Sequence, residues 1–144
     1  MMDYAARVAS ADTFPKLLRL NAREHAADIA FREKDLGVWR EYTWGHYQER
    51  VRDFALGLAD LGLEKGDVVA LIGDNRPDWV AGEIAAHAIG AMSLGMYRDA
   101  LDEEVAYLLT TAGAVVLTPH APPGTRAFEG AGGRFGGGGA SGEY

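Results

Sequence analysis

The residues best placed to do chemistry are Asp74 and Asn75, which directly follow the apolar run Val68-Val69-Ala70-Leu71-Ile72. If that run is a strand, the pair sits at its carboxyl end, where α/β domains usually hold their ligands. A carboxylate and an amide there could orient a polar or nucleotide ligand. Turn and helix-capping duties are the stronger reading of the same two residues. The four histidines, His25, His46, His87 and His120, have no metal-ligand spacing, and His87 reads as a packing histidine. Ser10, Ser93 and Ser141 lack the Gly-x-Ser-x-Gly frame that exposes a nucleophile. Asp102, Glu103 and Glu104 are consecutive, so on a helix they diverge rather than converge on a cation. They suit the first turn, where the helix dipole favours acids. No Gly-x-x-x-x-Gly-Lys-(Ser/Thr) phosphate loop is present. Gly130-Ala131-Gly132-Gly133-Arg134-Phe135 has Phe where a dinucleotide loop needs Gly or Ala, and reads as low-complexity sequence. On these grounds no residue is assigned a catalytic, cofactor-binding or metal-binding role.

The elements that would position these residues can be read from periodicity. Asp12 or Thr13 caps a helix with Pro15 in its first turn, Phe14, Leu17, Leu18 and Asn21 on one face, and an end near His25. The β-rich stretches 29–33 and 38–43 flank a turn at Lys34-Asp35-Leu36-Gly37. Thr43 then caps a long helix with Tyr47, Val51, Phe54, Leu58 and Leu61 as its apolar stripe, and Gly62 supplies the left-handed residue that ends it. The run 68–72 fits a strand buried on both faces. Pro77 opens a helix with Val80, Ile84 and Ala88 on one face, and Ala81, Gly82, Ala85 and Ala86 small enough for close approach to a sheet. Residues 91–97 form a second strand. Leu101, Val105, Leu108 and Leu109 line a further helix closed by Gly113, and 114–117 begin a third strand. The order predicts an α/β fold: a helix, a β-hairpin and a long helix, then a βαβαβ parallel sheet with right-handed crossovers. Three strands with two covering helices leave an open edge that could pair with a second copy or another partner.

Composition changes after Thr118. Residues 119–144 contain no Leu, Ile, Val, Met or Trp but include Pro122-Pro123-Gly124 and Gly136 to Gly139, which predicts a disordered Gly/Pro-rich tail behind a domain at 1–118. A frame shift or premature ending in a GC-rich gene would produce such a tail, and translating the other reading frames of the DNA tests this. The formal charge of −7 leaves no basic face for a nucleic-acid partner. Absence of Cys excludes disulfides and thiolate chemistry. The start carries no secretory signal, and the longest apolar run is too short to span a bilayer, so a cytoplasmic protein is expected.

Several stretches together resemble a known family. Thr43-Trp44 at a helix start, the run from Leu61-Gly62-Leu63-Glu64-Lys65-Gly66-Asp67 to Ala70, Asn75-Arg76-Pro77-Asp78-Trp79, Gly90-Ala91 and Tyr97 resemble the N-terminal region of acyl-CoA synthetases, in the adenylate-forming (AMP-binding) superfamily. Asn75 to Trp79 and Tyr97-Arg98-Asp99-Ala100-Leu101 look most like the long-chain fatty-acid type. The resemblance covers about residues 12–117. It implies activation of a carboxylate by ATP and magnesium to an acyl-adenylate, then thioester formation with coenzyme A. The family's phosphate loop, adenine segment, magnesium acid, ribose-binding Asp and C-terminal lysine all fall beyond the resembling stretch. The matched positions are structural ones. The resemblance therefore implies the scaffold of a long-chain acyl-CoA synthetase, inactive by itself. A small interaction module pairing through its sheet edge, and a nucleotide-binding domain using Asp74-Asn75, are the alternatives.

Overall fold

The computed structural model describes residues 3–117; the Gly/Pro-rich tail, His120 and Ser141 lie outside them. A short helix not anticipated from periodicity, α1 (Tyr4–Ser10), comes first. It buries no residue of its own, so it leaves no apolar stripe to read. It is held to α2 (Phe14–Glu24) by polar contacts: the Tyr4 hydroxyl donates to Asn21 Oδ1 at 3.3 Å, and Arg7 pairs with Glu24.

Strands β1 (Ile29–Asp35) and β2 (Val38–Thr43) form an antiparallel hairpin closed by the two residues Leu36 and Gly37. The turn is tighter than expected, because β1 runs on through Lys34 and Asp35. Phe31 stacks on Tyr42 (4.9 Å between centroids) and meets the Tyr47 ring edge-on (5.1 Å), which docks the hairpin on the long helix α3 (Trp44–Asp60). Thr43 caps α3 as predicted: its hydroxyl accepts from the His46 backbone N–H at 3.3 Å. Gly62, at φ +84°, ends the helix, and the reversal lets the Leu63 N–H reach the Leu58 carbonyl.

That reversal corrects the predicted stripe of α3. Val51 and Leu58 are buried, but Leu61 is 47 % exposed and Leu63, beyond the helix, is 7 % exposed. The chain has left helical periodicity at Gly62, so the residue two places on takes the inward position. Similarly Phe14 is 66 % exposed, because α2 turns Leu18 and Ala22 inward.

The parallel sheet has the order β4-β3-β5, with β3 (Val68–Ile72) central, β4 (Met92–Met96) on one side and β5 (Val115–Leu117) on the other. β3 is buried on both faces, as its unbroken apolar run required. Val69 and Leu71 point into the larger core with Leu18, Val51, Leu58 and α4 (Pro77–Ala88), whereas Ala70 points to the opposite side with Met96, Leu109 of α5 (Asp102–Ala112) and Ala114. Helix α4 approaches closely because Ala81, Gly82, Ala85 and Ala86 are all buried. Ala88, expected on the same face, is exposed instead. Gly95 of β4 is fitted to α4 too: a Cβ there would stand 3.1 Å from Cζ2 of Trp79. On α5 only Leu109 is fully buried; Leu101 and Leu108, predicted to face inward, are 61 % and 37 % exposed.

Candidate functional site

The strand order fixes where a ligand corner would lie. Adjacent strands β3 and β4 send their chains to opposite faces, β3 into α4 and β4 into α5. The carboxyl ends of such diverging strands are the usual ligand position in an open α/β sheet. Asp74 and Asn75 follow β3, and Tyr97, Arg98 and Asp99 follow β4. The structure brings Asp74 to Arg98, a partner that sequence spacing could not reveal across 24 residues. Arg98 Nη1 lies 2.8 Å from Oδ1 and 2.9 Å from Oδ2 of Asp74. Both side chains are mostly exposed, so the pair contributes little stability. The Arg76 N–H donates to the Asp74 carbonyl at 2.8 Å, which is the turn role expected of this stretch. The corner can steer a polar group but encloses none.

Arg76 is committed elsewhere. Its Nε lies 2.9 Å from Glu33 Oε1, tying the start of α4 to the hairpin. Glu33 also accepts from the Tyr42 hydroxyl at 3.1 Å; burial and this carboxylate raise the Tyr42 pKa. Asp78 is paired with Arg50. The Asn75-to-Trp79 stretch thus serves as a bracket between α3, α4 and β1.

The histidines disperse. His25 Nδ1 is 2.9 Å from Asp28 Oδ2 at the end of α2. His46 lines a shallow groove of about 380 Å³ with Glu41, Tyr42, Glu49, Arg50 and Asp53. His87 and Ser93 do meet: His87 Nε2 lies 3.0 Å from Ser93 Oγ, and Ser93 Oγ donates to Glu83 Oε1 at 3.4 Å. Ser93 Oγ thus bridges Glu83 and His87, both on α4. It ties α4 to β4. Only the i, i+4 spacing of Glu83 and His87 hinted at it. Beside it, burial and then the charge of Glu83 push the Tyr47 hydroxyl up to about 12.

The acids of α5 behave as first-turn residues. Glu104 Oε2 accepts from the Leu101 backbone N–H at 3.2 Å. Among the described residues no three His, Asp or Glu side chains are grouped to hold a metal. With Asp74 engaged by Arg98 and Glu104 by the backbone, the residues present do not fit a magnesium–nucleotide complex.

The AMP-binding enzyme family matches residues 18–130. The chain belongs to that family. The match continues past Leu117 into residues that composition alone assigned to the tail. Over 81 residues the chain is 35 % identical to the long-chain-fatty-acid–CoA ligase FadD15 of Mycobacterium bovis, covering 56 % of this chain and 14 % of that one. It is 28 % identical over 105 residues to the long-chain-fatty-acid–CoA ligase ACSBG2 of the mouse, covering 73 % and 16 % respectively. The crystal structure of the N-terminal domain of FACL13 from Mycobacterium tuberculosis superposes with a TM-score of 0.67 at 26 % identity, covering 72 % of this chain and 26 % of that one. The chain therefore spans about a seventh of the length of the FadD15 and ACSBG2 ligases and about a quarter of the FACL13 domain, and the fold it shares is that of adenylate-forming N-terminal subdomains.

Proposed function

We propose that the chain supplies the opening wall of an adenylate-forming domain that acts on long-chain fatty acids, and that these 144 residues alone do not make acyl-CoA. The observation that carries this is its similarity to long-chain-fatty-acid–CoA ligases over a stretch containing no phosphate loop. In the full-length family, ATP and magnesium would activate the fatty acid and coenzyme A would accept the acyl group. That chemistry needs donors aimed at the triphosphate and a cation at the developing charge. Here the candidate side chains are engaged with one another: a bracket at Arg76, a bridge at Ser93 and an exposed ion pair at Asp74. No catalytic, cofactor-binding or metal-binding residue is proposed in this chain. A cytoplasmic location goes with this reading; among the described residues no helix is long and apolar enough to cross a membrane.

The test is an assay of the purified chain with palmitate, ATP, magnesium and coenzyme A, reading acyl-CoA and AMP by chromatography. No product above the protein-free control is expected. Turnover that disappears when ATP is withheld would refute the proposal. A second reading is favoured by the strand order, since β4 pairs on one side only among the described residues. An interaction module would use that edge for a further strand, of a second copy or another protein. Sedimentation velocity separates the readings: a stable dimer abolished by Leu94→Pro supports the module, and a monomer unaffected by it does not.

A further inference from the structure

The hairpin tip displays apolar side chains where polar ones would fit the backbone better. Leu36 occupies the left-handed region at φ +47°, where Asn, Asp or Gly is the usual choice in a two-residue hairpin turn. It is 97 % exposed, and its neighbours Val38 and Trp39 are 66 % and 62 % exposed. Local backbone preference and solvation are both sacrificed at one point, a pattern associated with function. We propose that this tip is a membrane-surface anchor, which seats Leu36, Val38 and Trp39 in the interfacial layer of an anionic bilayer.

Charge and shape support a lipid surface as the occupant. Each carboxylate of the hairpin is neutralised by an arginine: Glu41 by Arg32 at 2.8 Å, Asp35 by Arg40 at 2.9 Å and Glu33 by Arg76 at 2.9 Å. Lys34 makes no ion pair among the described residues and instead places Nζ 5.9 Å from the centroid of the Trp39 ring. On a chain of net charge −7 the tip thus ends in an available cation beside an indole, the pairing that suits a headgroup layer. The acidic remainder would be repelled, which leaves the tip as the preferred point of approach. A convex point of three side chains is also far smaller than the roughly 800 Å² per partner of a stable protein interface. Fluid lipid can close around such a point without a preformed groove. The inference does not depend on the ligase reading, because its test involves no acyl transfer.

The test is co-sedimentation of the full 144-residue chain with vesicles of phosphatidylcholine containing about 30 % phosphatidylglycerol, and with phosphatidylcholine alone. The unmodified chain should partition to the anionic vesicles. Leu36→Asn should lower the partition coefficient about tenfold while leaving the melting temperature unchanged or raised, since Asn tolerates the left-handed backbone. Lys34→Glu should weaken binding to anionic vesicles and leave the neutral ones little changed. Absence of vesicle binding by the unmodified chain overturns the proposal, as does binding that Leu36→Asn leaves intact. Self-association lost in Leu36→Asn without any lipid binding would assign the tip to a protein contact and overturn it equally.

Discussion

Leu61 and Leu63 provide a sharp test of how the long helix ends. Both are leucines, and replacing either by Ala removes the same atoms. Continued helical periodicity would put Leu61 inside, whereas the reversal at Gly62 leaves it 47 % exposed and buries Leu63 to 7 %. A buried Leu→Ala change costs about 2–5 kcal/mol, the transfer of the lost atoms plus the residual cavity. Leu63 packs with Leu58, Val69 and Ala86 in the larger core. About 3 kcal/mol is therefore expected for Leu63→Ala. Half-exposed Leu61 leaves no closed cavity, and loses about 0.5–1 kcal/mol at roughly 25 cal/mol per Å². Urea unfolding followed by far-ultraviolet circular dichroism measures both. With a slope of about 1.5 kcal/mol/M, Leu63→Ala should lower the midpoint by about 2 M and Leu61→Ala by about 0.5 M, at unchanged slope. Equal shifts, or a larger one for Leu61→Ala, would refute the reversal as the cause of burial.

Other outcomes follow from the same packing. Thr43→Ala should lose about 1 kcal/mol by freeing the His46 N–H, and Thr43→Ser should restore most of it in the same urea titration. Because the Tyr47 hydroxyl is pushed up to about 12, the unfolded chain releases its proton first, near the ordinary pKa of about 10. Stability should therefore be unaffected by this group below pH 10 and fall as pH rises from there toward 12. Tyr47→Phe should flatten that fall; an identical slope in both proteins contradicts the assignment. Gly95→Val should destabilise by about 1–3 kcal/mol, since the new side chain forces the Trp79 ring aside. A red shift in tryptophan emission should accompany it.

Much of the architecture was legible because its signals are local. The run 68–72 admits only a strand enclosed on both sides, and Thr43, Pro77, Gly62 and Gly113 mark element ends through backbone chemistry that needs no neighbours. The small residues of α4 announced close approach before any sheet order was known. What escaped depended on the third dimension. Helix α1 adheres through Tyr4 and Arg7 rather than an apolar stripe, so periodicity could not register it. Phe14, Ala88 and Leu108 were placed inward by spacing, yet burial depends on what lies opposite, and nothing among the described residues fully covers them. At the candidate corner, Asp74 and Asn75 were found from their position after a strand. Arg98 required the register of β4 against β3, and the meeting of His87 with Ser93 required the packing of α4 on β4. The Asn75-to-Trp79 motif was recognisable as a pattern, but its physical purpose emerged only from the ion pairs of Arg76 and Asp78.

The placement of β3 at the centre has a consequence for how the protein is born on the ribosome. Its hydrogen-bonding partners come later in the chain, Met92–Met96 first and Val115–Leu117 last. During synthesis, the most water-averse stretch of the molecule must wait, half sheltered, until its second neighbour emerges. Translation speed over residues 73–117 would therefore set how long a nascent chain is vulnerable to chaperones and to its own kind.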